Sequence, residues 1–596
     1  MKTKVVIFSL LFGAAMASAQ TPTIHYTLGM SKPYTHLFEV QVTLGNLPSS
    51  EKHVDLVMPA WRGGRYVIFD FSGGVQEFSA DDGQGNTLAW SKIDKETWRI
   101  ERGRSSTITV KYRVYANEFR DRTRGLNDEH AFVDPTTVFM FAKQYEQQPV
   151  GLTVFPYSDW HITTGLESVA GTTNEFIAPT YLYFSDCPIE IGTQKDYTFD
   201  VDGKEHVLMV AGNVTLDTNR MISDLARLVE ANRRFWGTLP YKRYVFMLEV
   251  YPNSGGGTEH INSTIMQRGP FGFGTPEGYR SFLGLISHEY FHTWNVKQLR
   301  PQGIAPYDYT KEDYVNELWV AEGTTSYYGP LMLVRLGYTT PDEFLATVAS
   351  GVQADRMRPG NRIQSLTASS FDAWVKYWRD RENAYNAESD YYEKGSHVSF
   401  LLDLEIRRDS KNEHSLDDVM RTMFDRFPLK KGYTVDDFQR VSEEMAGQSL
   451  EQFFADYVHG TASIPWDRFL SYAGLELEPK DTTPKPWLGV MAKDRDNETR
   501  VYNVIAGSPA YDAGLNVDDQ ILALDGYRVR SSDLAGRIAG MSAGDTVKIT
   551  VFRNDELREF KVPLRNQEIP SYVIVKSDSP TALQKAIYEG LFKTIL

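Results

Sequence analysis

The chain of 596 residues has room for about four domains at roughly 150 residues each, which excludes a peptide or a single small module. Hydrophobic residues make up 41%, aromatic residues 13% and charged residues 24%, the proportions of a globular protein and not of a disordered or collagen-like one. A net charge of −15 offers no global positive field to a phosphate backbone or an anionic bilayer, so no nucleic acid is expected as a partner.

In chain order, Lys2 and Lys4 precede an apolar run over residues 5–16 and then Ala17-Ser18-Ala19, the three-part pattern of a signal peptide over 1–19. That run is too short to span a bilayer, no cysteine follows it to carry a lipid, and no later stretch reaches about 18 apolar residues. The expectation is an exported protein without a membrane span, located in a bacterial periplasm. Residues 20–201 read as a β-rich domain, with alternating runs such as 25–28, 37–44 and 106–114 between Gly, Pro and Asn turns. From 202 to 475 a second unit follows, in which strand-like runs at 206–210 and 244–251 flank a helical pattern over 221–235, and helices then continue to about Ala473. A proline-bearing linker at 481–486 leads to short strands and glycine turns over 484–566, and 567–596 is left as a C-terminal tail with no functional account. Cys187 is the single cysteine, so a disulfide within the chain, a zinc ribbon or an iron–sulfur cluster is excluded and any metal must rest on His, Asp and Glu.

Within the helical stretch, Ser287-His288-Glu289-Tyr290-Phe291-His292 carries an H-E-x-x-H pattern. On a helix, residues four apart share a face, so His288 and His292 can hold one ion while Glu289 stands beside it. Thr275-Pro276 supplies an N-cap and an N1 proline for such a helix. The plainer alternative is a pair of histidines on an ordinary helix. A third ligand is sought downstream, where Thr310 and Asp313 resemble a capping box and Val315, Leu318 and Trp319 form an apolar stripe that continues to Glu322. A carboxylate on that stripe must be paired, protonated or bound to metal. Glu317 faces the other way and Glu312 falls in the first turn, so Glu322 is chosen, with pairing to an Arg or Lys as the alternative. Two His and one Glu leave a zinc ion one position for water, the arrangement of a catalytic site, and Glu289 is then the general base for hydrolysis of an amide.

The string His288-Glu289-Tyr290-Phe291-His292-Thr293-Trp294-Asn295-Val296-Lys297-Gln298-Leu299-Arg300-Pro301, with Trp319-Val320-Ala321-Glu322-Gly323, resembles the glycyl aminopeptidase family of zinc metallopeptidases. These are thermolysin-like enzymes with a glutamate as third ligand and a C-terminal PDZ domain. The resemblance implies a multidomain α+β fold: an N-terminal β-rich domain, a thermolysin-like zinc catalytic domain of small sheet plus helices, a helical subdomain and a PDZ domain. Met58-Pro59-Ala60-Trp61 is its weak counterpart in the N-terminal domain.

The resemblance also implies that Gly255-Gly256-Gly257-Thr258-Glu259-His260 is a substrate edge, with Gly256 and Gly257 admitting a peptide backbone and Glu259 holding the free α-amine; a plain glycine turn is the alternative. The role of His260 stays open between substrate contact, catalytic assistance and loop hydrogen bonding. Tyr392-Glu393-Lys394-Gly395 resembles the segment whose tyrosine stabilises the oxyanion, with Tyr391 adjacent and open to confusion with it. Trp487-Leu488-Gly489-Val490, followed by Gly507-Ser508-Pro509-Ala510 and Leu524-Asp525-Gly526, resembles a PDZ domain whose Leu488, Gly489 and Val490 take a peptide C-terminus; a module that only packs on the core is the alternative. The function implied is a zinc-dependent aminopeptidase acting on peptides with a free N-terminus, preferring small residues such as Gly or Ala. A zinc endopeptidase and a non-catalytic PDZ-mediated peptide-binding protein are the rival readings.

Overall fold

Alternation of apolar residues turns the first part of the chain into sheets. In the computed structural model, which describes residues 22–379 and 381–593, the strand Leu37–Gly45 buries Phe38, Val40, Val42 and Leu44 on one face and leaves the residues between them half-buried. It pairs antiparallel with Thr23–Gly29 and Ile108–Tyr115 in a seven-stranded sheet. Smaller sheets of three and four strands complete this β-rich N-terminal domain. The expected signal peptide at 1–19 lies outside the described residues. Among the described residues no helix is long and apolar enough to cross a membrane.

The second region is built on a five-stranded mixed sheet in the order Lys195–Val201, Lys204–Ala211, Arg243–Val250, Ser263–Arg268, Gly257–Glu259. The helix Thr218–Trp236 crosses between the parallel strands Lys204–Ala211 and Arg243–Val250; the Asp217 carboxylate caps it by accepting from Arg220 N at 3.0 Å, and Gly237 at φ +80° ends it. The sequence placed a domain boundary at 201/202. Asp202 and Gly203 instead have positive φ and form the tight hairpin turn that joins Lys195–Val201 to Lys204–Ala211, so Lys195–Val201 belongs to the sheet of the second region.

After the helical subdomain, a six-stranded sheet with its own hydrophobic core, including Leu488, Val501, Ile521 and Ile549, forms the PDZ domain. Residues 567–593 of the segment expected as a tail are ordered structure. Its strand Tyr572–Lys576 pairs antiparallel with Leu475–Pro479, and its helix Ala582–Leu591 packs on the helix Glu393–Asp409, where Leu591 O accepts from Arg335 Nε at 3.2 Å. The PDZ domain is thus an insertion clamped at both ends. It also touches the second region: Asn386 donates to Val504 O at 2.9 Å and accepts from Ala506 N at 2.9 Å, and Asn503 donates to Glu382 O at 2.8 Å.

Candidate active site

The helix Pro276–Phe291 carries the H-E-x-x-H residues and forms where the capping signals place it. Thr275 Oγ1 accepts from Gly278 N at 3.0 Å, and Pro276 occupies N1. Burial of Phe282, Leu283, Ile286, Tyr290 and Phe291 anchors it, each worth about 1.5–3 kcal/mol relative to exposure. His288 then faces a cleft at 19% side-chain exposure, while His292 is sealed behind it at 1%. His292 Nδ1 lies 2.8 Å from Asn295 O, which orients Nε2 toward His288.

Glu322 arrives on an element different from the one expected. The segment from Thr310 to Glu317 is not helical, because the Asp308 carboxylate accepts from Thr310 N at 3.1 Å and from Thr310 Oγ1 at 2.6 Å, while Asp313 accepts from Asp308 N at 2.7 Å. Asp313 therefore closes a loop instead of a capping box. Glu317 is used to accept from Val435 N at 3.0 Å. A π-helical turn over Trp319–Thr324 carries Glu322 and runs into the helix Thr325–Arg335. Asn295 Nδ2 donates to Val320 O at 2.9 Å and to Thr325 Oγ1 at 3.0 Å, tying this turn to the end of the motif helix.

These elements bring three donor atoms together. His288 Nε2 and His292 Nε2 are 3.0 Å apart, and Glu322 Oε2 lies 3.6 Å from the first and 3.1 Å from the second. A tetrahedral zinc ion with bonds of about 2.0–2.1 Å requires donors about 3.3 Å apart, so the set fits a zinc ion. Burial works against charge on Glu322, and the adjacent His292 and His288 overcome it, holding the carboxyl well below the usual range. Glu289 is buried with its carboxylate packed directly on Gly257, where any side chain would collide with it. Burial pushes its carboxyl upward, and Glu259 and Glu322 add to the rise.

Two glycines set the place of Tyr392. A Cβ on Gly323 would stand 2.6 Å from Gly395 Cα, so the turn bearing Glu322 and the start of the helix Glu393–Asp409 touch backbone to backbone. Tyr392, at the N-cap of that helix, lines the cleft with its ring 6.5 Å from that of His288. Tyr391 is fully buried and its hydroxyl accepts from Trp378 Nε1 at 2.9 Å, which removes it from the cleft.

The cleft, of about 310 Å³, is lined by His288, Glu289, His292, Glu322, Tyr392, Gly256, Gly257 and Glu259. His260 is not among its walls: it is buried behind the edge strand, with Nδ1 3.1 Å from Asp186 Oδ1. Lys297, fully buried, donates to the same Asp186 oxygen at 3.0 Å and stands 4.0 Å from Glu259 Oε1. Replacing Lys297 by Met removes the buried cation that faces both Asp186 and Glu259 and is expected to cost about 3–5 kcal/mol in urea unfolding; an unchanged midpoint would contradict this electrostatic role. Three arginines from the N-terminal domain, Arg62, Arg65 and Arg122, and Trp378 also line the cleft, and the sequence reading missed all four. The only local signal was Arg62-Gly63-Gly64-Arg65, directly after Met58-Pro59-Ala60-Trp61. Trp61 is a plug between domains, packed on Tyr307, Tyr309 and Trp374 with its indole N–H donating to Asp308 O at 3.0 Å.

The Peptidase M61 N-terminal domain family matches residues 25–193, the M61 glycyl aminopeptidase family residues 281–398 and the PDZ domain family residues 486–564. An aminopeptidase N family protein from Idiomarina loihiensis is similar over 95% of this chain and 100% of its own, with 28% identity and a TM-score of 0.89. An M1 zinc metallopeptidase from Deinococcus radiodurans is similar over 75% of this chain and 95% of its own, with 14% identity and a TM-score of 0.47. No curated protein matches the chain.

Proposed function

Because this chain belongs to the glycyl aminopeptidase family and is a metallopeptidase, we propose that it is an exported zinc aminopeptidase that removes the N-terminal residue of peptides. The observation that carries this reading is Glu259, a buried carboxylate in the same small cleft as the general base and the three metal-ligand candidates. A substrate α-ammonium there gains a charge-assisted hydrogen bond, which fixes the scissile bond one residue in from the N-terminus. His288, His292 and Glu322 would hold zinc, which when bound supplies Lewis-acid chemistry and lowers the pKa of water. Glu289 accepts the proton of the attacking water and delivers it to the leaving amine. Tyr392 donates its phenolic hydrogen to the carbonyl oxygen as that atom gains charge, and burial, which pushes its hydroxyl well upward, keeps the hydrogen in place.

A cleft of about 310 Å³ is at the small end of ligand pockets, which supports a preference for Gly or Ala at the N-terminus. The pattern of Lys2, Lys4, the apolar run and Ala17-Ser18-Ala19 supports export to the periplasm. A peptide C-terminus is the ligand we assign to Leu488, Gly489 and Val490; Gly489, at φ +79°, packs on Ser508 so closely that only glycine fits.

Glu259→Gln is expected to lower kcat/KM for Gly-leading peptides by about 100-fold while zinc content stays unchanged; equal activity would contradict the assignment. Tyr392→Phe is expected to lower kcat by about 100- to 1,000-fold with little effect on KM. Steady-state kinetics on the zinc-loaded variant checks it, and an unchanged kcat would move the oxyanion role elsewhere.

A further inference from the structure

Three arginines, Arg62, Arg65 and Arg122, converge on the cleft beside its carboxylates. Arg62 is buried at 1% exposure, its Nη1 and Nη2 bonded only to Gly63 O, Thr258 Oγ1 and Asp121 O, and its Nε has no partner. Burial, with the neighbouring Arg122 and Arg65, pushes this guanidinium down to about 10 against the opposing pull of the nearby Asp134 and Glu259 carboxylates. Arg65 pairs with the exposed Asp121 at 3.2 Å, and its Nε is likewise buried without a partner. Arg122 is fixed by Nε to Thr258 Oγ1 at 3.0 Å and by Nη1 to Gly255 O at 3.1 Å, so its planar fork is held in place without a bonded carboxylate.

The order of groups along the edge segment gives this cluster a position relative to the reaction. The Glu259 carboxylate lies over Gly64, Glu289 lies on Gly257, and Arg122 Nη1 stands 3.1 Å from where a Cβ of Gly256 would be. Gly256, at φ +93°, departs from the alternation of the strand Gly257–Glu259, and both it and Arg122 line the cleft. A peptide anchored by its amine at Glu259 and cut beside Glu289 therefore runs toward Arg122. From Glu259 to Gly256 is three residues, about 10 Å of extended chain.

Resting on the aminopeptidase reading, we propose that Arg122 and Arg65, backed by Arg62, bind a carboxylate on the leaving-group side of the scissile bond, so that the preferred substrates are di- and tripeptides ending in a free carboxylate. Arginine suits this role because its fork matches a carboxylate in two parallel hydrogen bonds.

The test compares Gly-Gly and Gly-Gly-Gly with their C-terminal amides, with Gly-Asp-amide and with each acid acetylated at its N-terminus, using the zinc-loaded full chain. The expected result is a KM about 10- to 100-fold higher for the amides at similar kcat. Recovery with Gly-Asp-amide assigns the subsite to any nearby carboxylate, and no recovery restricts it to the terminal one; both uphold it. Arg122→Ala should erase the difference between acid and amide, and Arg122→Lys should restore part of it. Binding of Gly-Gly and its amide to the Glu289→Gln protein, followed by calorimetry, should show the same preference without turnover. Equal KM for acid and amide in the unaltered protein overturns the proposal, even if Arg122→Ala fails to fold. Cleavage of acetylated peptides would instead overturn the aminopeptidase reading, whatever the ratio of acid to amide.

Discussion

Glu289→Gln is expected to keep its zinc and lose about 100- to 10,000-fold in kcat. The carboxylate is enclosed between the motif helix and the backbone of Gly257, so an amide of the same shape occupies its place without a cavity or a clash. What the amide lacks is the ability to take a proton from water and return it to the leaving amine. The three proposed metal ligands are untouched, because His288, His292 and Glu322 converge from the two neighbouring faces with donor separations of 3.0–3.6 Å. Zinc measured by elemental analysis and turnover measured on one peptide separate the two effects. Turnover equal to that of the unaltered protein would remove Glu289 from the mechanism.

The second large effect is expected at Glu322. Glu322→Ala removes one of three donors from a site whose other two are neutral imidazoles when they bind metal, so both a bond and the compensating negative charge are lost. Zinc affinity should fall by more than the roughly 10- to 100-fold that loss of an outer hydrogen-bond partner costs. Activity should fall with it, and excess zinc should recover only part of that activity. Dialysis against a chelator followed by elemental analysis reads the first effect. Undiminished zinc would move the site to the other buried group of donors in this cleft, Glu259, Glu289 and His292.

What could be read from the amino-acid order follows the range of the interactions involved. The motif helix was legible because its cap at Thr275, its apolar spacing and its two histidines lie within about five turns of one helix. Glu322 was chosen as a carboxylate aligned with buried residues, but it does not sit on a helix that begins at Thr310. The Asp308 side chain takes the hydrogen bonds of that first turn, and a π-helical turn then aims Glu322 at the histidines. The Asp202-Gly203 turn was taken for a domain boundary because a hairpin signal and a linker signal use the same residues. Arg62, Arg65 and Arg122 were illegible as site residues, since only the docking of the N-terminal domain, plugged by Trp61 between Tyr307, Tyr309 and Trp374, brings them to the cleft. The strand Tyr572–Lys576 finds its partner Leu475–Pro479 across the whole PDZ domain, a pairing that local periodicity does not encode.

The contact of Asn386 and Glu382 with the PDZ domain also has a tertiary origin. It joins that domain to the segment after Tyr377, whose ring packs on Tyr391 and Tyr392, and Trp378, whose indole N–H donates to the Tyr391 hydroxyl.

The central claim is that the buried carboxylate of Glu259 selects a free amine and thereby makes this metallopeptidase an aminopeptidase. Its most direct test is the rate of hydrolysis of one Gly-leading peptide and of its N-acetylated form by the purified, zinc-loaded chain. Cleavage of the free peptide alone, one residue from the N-terminus, is the predicted result, and comparable cleavage of the acetylated form would contradict the account.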